Sequence, residues 1–228
     1  MSCWGRRGVV SKTRRRGAPT LPQPPCYDVV MNEHLRRTHR MPTQAAEGMP
    51  RWRWTTAELL RLTELGAFTD NDRFELIGGE IVPMSPKGRR HEVVADVLQK
   101  FWARRCPEEI WISAERQFNL EPETYTTPDL LVRPAGIQVP DVRGDTALLV
   151  VEVADTSLAY GQGTKATLYA RFGVPEYWVI NARTLETHIH QGPSEAGYAS
   201  VRTAPAPDLI VPLLAPSLGV RLGELDVE

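Results

Sequence analysis

Polar and apolar positions divide the chain near residue 50. Before that point no stretch repeats with the period of a helix or a strand; apolar residues are sparse, and Pro19, Pro22, Pro24 and Pro25 crowd one segment. Such a segment buries too little surface to offset the entropy of ordering it, so residues 1–50 read as a disordered arm. Periodic patterns then follow one another. Thr55-Thr56-Ala57-Glu58 has the side-chain cap and first-turn acid of a helix start. Leu59, Leu60, Leu62 and Leu65 supply its apolar face, and Gly66 fits a C-terminal cap. The short runs Arg73–Ile77 and Glu80–Val82 flank Gly78-Gly79, which is a hairpin pattern. Val94, Val97, Leu98 and Phe101 fall at helical spacing within 91–105. Ile110–Leu120 alternates as one strand, with Glu121-Pro122-Glu123 as its turn, and Asp129–Arg133 is a short strand. Ala147–Val153 is almost wholly apolar, as a central strand covered on both faces should be. Gly163–Phe172 predicts a helix closed by Gly173, and Glu176–Asn181, Glu186–His190 and Tyr198–Thr203 predict further strands. Strands interspersed with helices give an α/β or α+β fold with a mixed sheet, as a single domain over residues 51–228.

Composition narrows this picture. The chain has 228 residues, 42% hydrophobic and 24% charged, an ordinary globular mix that excludes collagen-like, coiled-coil and disulfide-scaffold classes. No uninterrupted apolar run of about 20 residues predicts a membrane span. The net charge of −1 conceals a division: residues 1–50 carry +6 and residues 51–228 carry −7. The arm could grip phosphates, but a solvated tail is the simpler reading of a charge run, and Met41 and Met49 offer alternative starts beside the folded part. Its Arg6-Arg7 pair lacks the apolar stretch of about 7–15 residues that an export signal needs. Cys3, Cys26 and Cys106 are too far apart for a zinc motif or a disulfide framework, so a reducing cytoplasm is expected.

The chemistry concentrates in one window. Thr127-Pro128-Asp129 opens a strand, Glu152 lies inside the next, and Lys165 stands near the start of the following helix. An ionised glutamate within a run of aliphatics is costly unless something pairs with it. Asp129 on a neighbouring strand would raise that cost, and a bound divalent cation would relieve both acids. Two carboxylates with open coordination positions suit Mg²⁺ (or Mn²⁺), which keeps waters and takes phosphate oxygens. Lys165 could then polarise the attacking water or neutralise charge on a phosphate. The alternative is a buried Glu152–Lys165 ion pair with no chemistry, and Asp129 taken alone is an ordinary turn residue.

Pro128-Asp129, Glu152 and the downstream Lys165 resemble the PD-(D/E)XK nuclease pattern. The wider text is similar to one group within that superfamily, the Uma-two family of restriction-endonuclease-like proteins. The resemblance rests on Phe74-Glu75-Leu76-Ile77-Gly78-Gly79-Glu80, on His91 at a helix start, and on Val151-Glu152-Val153-Ala154-Asp155-Thr156-Ser157. It continues through Lys165–Trp178 and spans the chain from about residue 54 to its C-terminus. It implies a restriction-endonuclease-like mixed β-sheet flanked by helices, a Mg²⁺-type metal and hydrolysis of phosphodiester bonds; of the two nucleic acids, DNA is the more expected substrate. It also implies metal ligation by Asp129 and Glu152, with Lys165 as catalytic lysine, and a homodimer. In the simple pattern the lysine follows the acid by two residues; that position here is Ala154, so the role passes to Lys165, as is usual for this group. An acid that often precedes the helix is replaced by Gly161 and Gln162.

Secondary positions join this set. His91 shares a helix face with Val94, Ala95 and Leu98 and should point to the sheet as a general base, a phosphate ligand or simply a half-buried histidine. Glu75 faces opposite to Phe74 and Leu76, as a third acid at the metal, a partner for Lys165 or an exposed strand residue; Glu80 is a weaker candidate. Tyr169 lies one turn beyond Lys165 and could orient it, although core packing is the simpler role. Asp155 could act behind the ligands. His188 and His190 share a strand face but lack a third metal ligand. Trp52 and Trp54 could stack on bases, but suit a packing edge better. A non-catalytic binding or scaffold protein that retains the nuclease fold is the rival class, favoured by the acidic body. No separate target-recognition module is visible, and residues 51–228 leave little room for one.

Overall fold

The computed structural model describes residues 52–69, 72–155 and 157–227. The expected disordered arm, together with Cys3 and Cys26, lies outside the described residues. Thr55 caps helix α1 (Thr56–Glu64) in a reciprocal box: its hydroxyl accepts from the Glu58 amide at 3.2 Å, and the Glu58 carboxylate accepts from the Thr55 amide at 2.8 Å. Gly66 follows in the left-handed region at φ +78°. Of the predicted apolar face, Leu60 and Leu65 are exposed, because α1 rests on a small cluster of Leu59, Leu76 and Tyr125.

Gly78 and Gly79 both take positive φ, +57° and +82°. That two-residue turn matches strand twist and closes a hairpin of β1 (Phe74–Ile77) and β2 (Glu80–Pro83), with Ile77 opposite Glu80. Helix α2 (Arg89–Ala103) follows and buries Val94, Leu98 and Trp102. The single strand predicted from Ile110 to Leu120 is two strands, β3 (Ile110–Ala114) and β4 (Phe118–Glu121). Glu115 breaks it at φ +49° and sends the halves into different sheets. Alternation continues in phase across the break, so the pattern conceals it.

Beyond the predicted turn come β5 (Thr124–Thr126), β6 (Leu130–Pro134) and β7 (Leu149–Ala154). The helix predicted at Gly163 starts earlier. A short turn, α3 (Leu158–Tyr160), runs into a π-helical turn at Gly161–Lys165 and then α4 (Ala166–Arg171). Gly161 permits this turn to lie close to the sheet, since a Cβ there would sit 3.2 Å from Val179 Cγ1. Strand β8 (Glu176–Asn181) has its predicted bounds, β9 (Thr187–Ser194) runs four residues past its predicted end at His190, β10 (Gly197–Ala204) is one residue longer at each end than predicted, and a small pair, β11 (Leu209–Ile210) with β12 (Val220–Arg221), follows.

The large sheet has the order β10-β9-β8-β7-β6-β3, and the small sheet β2-β1-β5-β4. In the large sheet β7 and β8 run parallel, as their helical crossover requires, and the other pairs are antiparallel. Alternation along central β7 divides the core. Leu149, Val151 and Val153 pack under α2 with Trp178, while Val150 and Ala154 pack with Tyr169 of α4 on the opposite face. Glu152 lies between Val151 and Val153 and therefore faces the α4 side. This is the expected mixed sheet flanked by helices. No helix among the described residues is long and apolar enough to cross a membrane.

Candidate active site

The two sheets meet at Thr127-Pro128-Asp129, the link from β5 to β6. Register sets the first acids side by side. Leu130 pairs with Val151, and one step further places Asp129 opposite Glu152. Glu75 comes from the small sheet; β1 buries both Glu75 and Leu76, but on opposite faces, Leu76 into the small core. The Thr127 amide donates to Glu75 Oε1 at 2.9 Å and ties the sheets together at this point.

Lys165 closes the group. Its Nζ donates to Glu152 Oε1 at 2.8 Å and to Glu75 Oε1 at 3.0 Å, and the lysine is 7% exposed. Tyr169, one turn on, donates to Glu152 Oε1 at 3.2 Å and also bonds Thr126 Oγ1 at 3.0 Å. It is packed in the core, as the simpler expectation had it, and its hydroxyl bonds the acid Glu152 rather than Lys165. Asp129 is held from three sides. Its Oδ2 accepts the Val153 amide at 2.7 Å, and its Oδ1 lies 2.6 Å from Lys87 Nζ and 3.0 Å from His91 Nε2. The expected aim of His91 towards the sheet is met, from the first turn of α2. Lys87 went unnoticed in the sequence. Its one signal is position, between Pro86 and Gly88 in the segment that enters the helix carrying His91.

Glu75, Lys87, His91, Asp129, Glu152 and Lys165 line one cavity of about 380 Å³. The electrostatics are uneven. Burial pushes the Glu152 carboxyl up to about 7; Lys165 opposes that rise, while Asp129 and Glu75 add to it. Burial would also raise Asp129, but bonds and charge from His91 and Lys87 outweigh it and hold the group below its ordinary value. Burial works against the charge on Lys165, yet Glu152 and Glu75 raise its pKa above the usual lysine value.

The donor set fits a hard divalent cation in one specific way. Among the described residues no three His, Cys, Asp or Glu side chains form a ready cage. Asp129 and Glu152 do face each other across adjacent strands, and burial of the Glu152 carboxyl outweighs the relief that Lys165 gives it. A cation that takes few protein ligands and keeps waters suits such a pair.

The remaining candidates fall elsewhere. Asp155 lines the cavity and pairs with Arg183 Nε at 2.5 Å. Glu80 is exposed on β2. His190 is buried between Tyr177 and Tyr198, while His188 pairs with Thr203 and Glu186, so the two histidines serve packing and surface bonding. Trp54 packs on the small core, its amide bonded to Gly79 O at 2.9 Å, whereas Trp52 is exposed. Cys106 is half-buried and donates to Ile110 O.

Comparison with known proteins agrees with this architecture. A crystal structure from Anabaena variabilis, titled a putative nuclease belonging to DUF820, is similar at a TM-score of 0.56 and 16% identity. The match covers 75% of this chain and 96% of that one, and at such identity it establishes the fold. No curated protein matches the sequence. The model of the Uma2 family, described as "Putative restriction endonuclease", matches residues 56–227. The chain, with its mixed sheet and its buried acids around Lys165, belongs to the Uma2 family.

Proposed function

We propose that the protein is a metal-dependent endonuclease that hydrolyses phosphodiester bonds, of DNA. The observation that carries this reading is the convergence of Asp129, Glu152, Glu75 and Lys165 on one cavity. Family membership and the shared fold support a nuclease. Asp129 and Glu152 would hold Mg²⁺ or Mn²⁺, with Glu75 as the third acid of the wall. Bound there, the ion supplies a polarised phosphate oxygen and a water of lowered pKa. Lys165, held by Glu75 and Glu152, presents positive charge in a water-poor site to the oxyanion that develops on the phosphorus. Tyr169 fixes the Glu152 carboxylate by its hydroxyl, and His91 fixes Asp129 and is placed to take or return a proton. A homodimer in the cytoplasm, able to address both strands of a duplex, completes the reading.

The net charge of −7 over residues 51–228 favours a second reading, a non-catalytic binding protein on the same fold. Incubation of the full chain with plasmid and Mg²⁺ or Mn²⁺ separates the two. Cleavage by the wild type, reduced about 100-fold or more in Asp129→Ala and Lys165→Ala, is the expected result. Intact plasmid with the wild type, or equal cleavage by the variants, leaves only the binding reading.

A further inference from the structure

Lys87 stands outside the residue pattern that defines the site, yet its ammonium is enclosed there. Its side chain is 8% exposed, and Nζ lies 2.6 Å from Asp129 Oδ1 and 3.0 Å from Glu115 Oε1. The two oxygens of Asp129 are not equivalent. Oδ2 accepts a backbone amide of β7 and cannot leave it without exposing a buried donor. Oδ1 takes side chains alone, Lys87 and His91. Oδ1 is thus the oxygen that a metal ion can reach at least cost, and Lys87 sits on it.

An ammonium and a divalent cation on one carboxylate oxygen repel strongly at contact distance. Lys87 can yield the place. It belongs to the irregular segment between β2 and α2, it has a flexible four-carbon stem, and Glu115 beside Asp129 is half-exposed and already shares its charge. From Glu115 the ammonium still borders the cavity, where a nucleic-acid phosphate would bring the negative charge it has lost.

We infer that Lys87 is a stand-in cation: it neutralises Asp129 Oδ1 in the metal-free protein and moves to a phosphate of the bound strand when metal takes that oxygen. This rests on the metal-dependent reading above. It gives the site two positive side chains with separate tasks, Lys165 fixed between Glu75 and Glu152, and Lys87 exchangeable.

The test uses the full chain and two binding measurements, neither of which needs turnover. Calorimetry with Mn²⁺ should show Lys87→Met binding about tenfold tighter than the wild type, since the competing cation is gone. Fluorescence anisotropy with a phosphorothioate DNA duplex, at saturating Mn²⁺, should show Lys87→Met binding about tenfold weaker. A structural role for Lys87 would not move the two affinities in opposite directions. If circular dichroism shows Lys87→Met to be unfolded, Lys87→Gln carries the same expectations. Mn²⁺ affinity unchanged or weakened in the folded variant overturns the inference, and unchanged duplex affinity overturns the transfer to phosphate. If the wild type and the variants all fail to bind Mn²⁺, the metal-dependent reading itself falls and the inference with it.

Discussion

At the scale of single residues, the site was legible where a side chain conflicted with its surroundings. Glu152 stood out as a charge within Leu148–Val153, and the structure answers with Lys165 and Tyr169 on its Oε1. Asp129 and Lys165 were legible through their order and spacing after Thr127. Lys87 was not, because a lysine near a helix start is ordinary and nothing local marks a partner 42 residues away. The pairing of Lys165 has a measurable stability consequence. Removing it leaves Glu75 and Glu152 buried with no cation, a change that typically costs about 3–5 kcal/mol. Lys165→Met should therefore lower the urea unfolding free energy by about that amount in the metal-free protein, and Glu152→Gln combined with it should recover part of the loss. A single variant as stable as the wild type would show the pair to be energetically idle.

At the scale of elements, hairpin β1–β2 and helix α1 were legible because their boundaries are set by residues with fixed local demands. Gly78-Gly79 supplies two positive φ angles, and Thr55 with Glu58 supplies a complete cap. The break between β3 and β4 and the π turn before α4 were hidden. The first falls on a non-glycine residue, Glu115, and the second depends on close packing of Gly161 against Val179. Strand β9 shows the same division. Spacing placed His188 and His190 on one face, but could not tell that His190 Nε2 would be buried without a hydrogen-bond partner. Burial lowers the His190 imidazole from its ordinary value of 6.5 to about 4, and nearby His188 adds to this. A folded pKa below the unfolded one makes a stability contribution that is complete above pH 6.5 and lost as pH falls towards 4. Between pH 7 and pH 4 the wild type should lose roughly 2 to 3 kcal/mol more than His190→Phe, read from urea titrations. Parallel losses in the two proteins would remove His190 from the account of acid sensitivity.

At the scale of the whole molecule, the mixed sheet followed from one apolar strand covered on both faces, and β7 is that strand. The small sheet was less legible, since three-residue β5 is too short to show alternation. The acidic charge of the body bears on binding. Residues 51–228 carry −7, so a polyanion should be held only where cations offset that field. Mobility-shift assays should show a phosphorothioate DNA duplex retained with Mn²⁺ and released by EDTA, with affinity falling as salt rises. Retention in EDTA would assign the contact to another surface.

The contact between Glu75 and Lys165 joins residues 90 positions apart, one on the small sheet and the other on the π-helical turn before α4. A nascent chain emerges in order, so the ribosome makes Glu75 long before the lysine that completes its surroundings. At roughly 5–20 residues per second, about 5 to 20 s of synthesis separate the two. No nascent fragment that stops short of Lys165 can pair Glu75 and Glu152 with their cation, so the buried acid cluster is completed only late in synthesis.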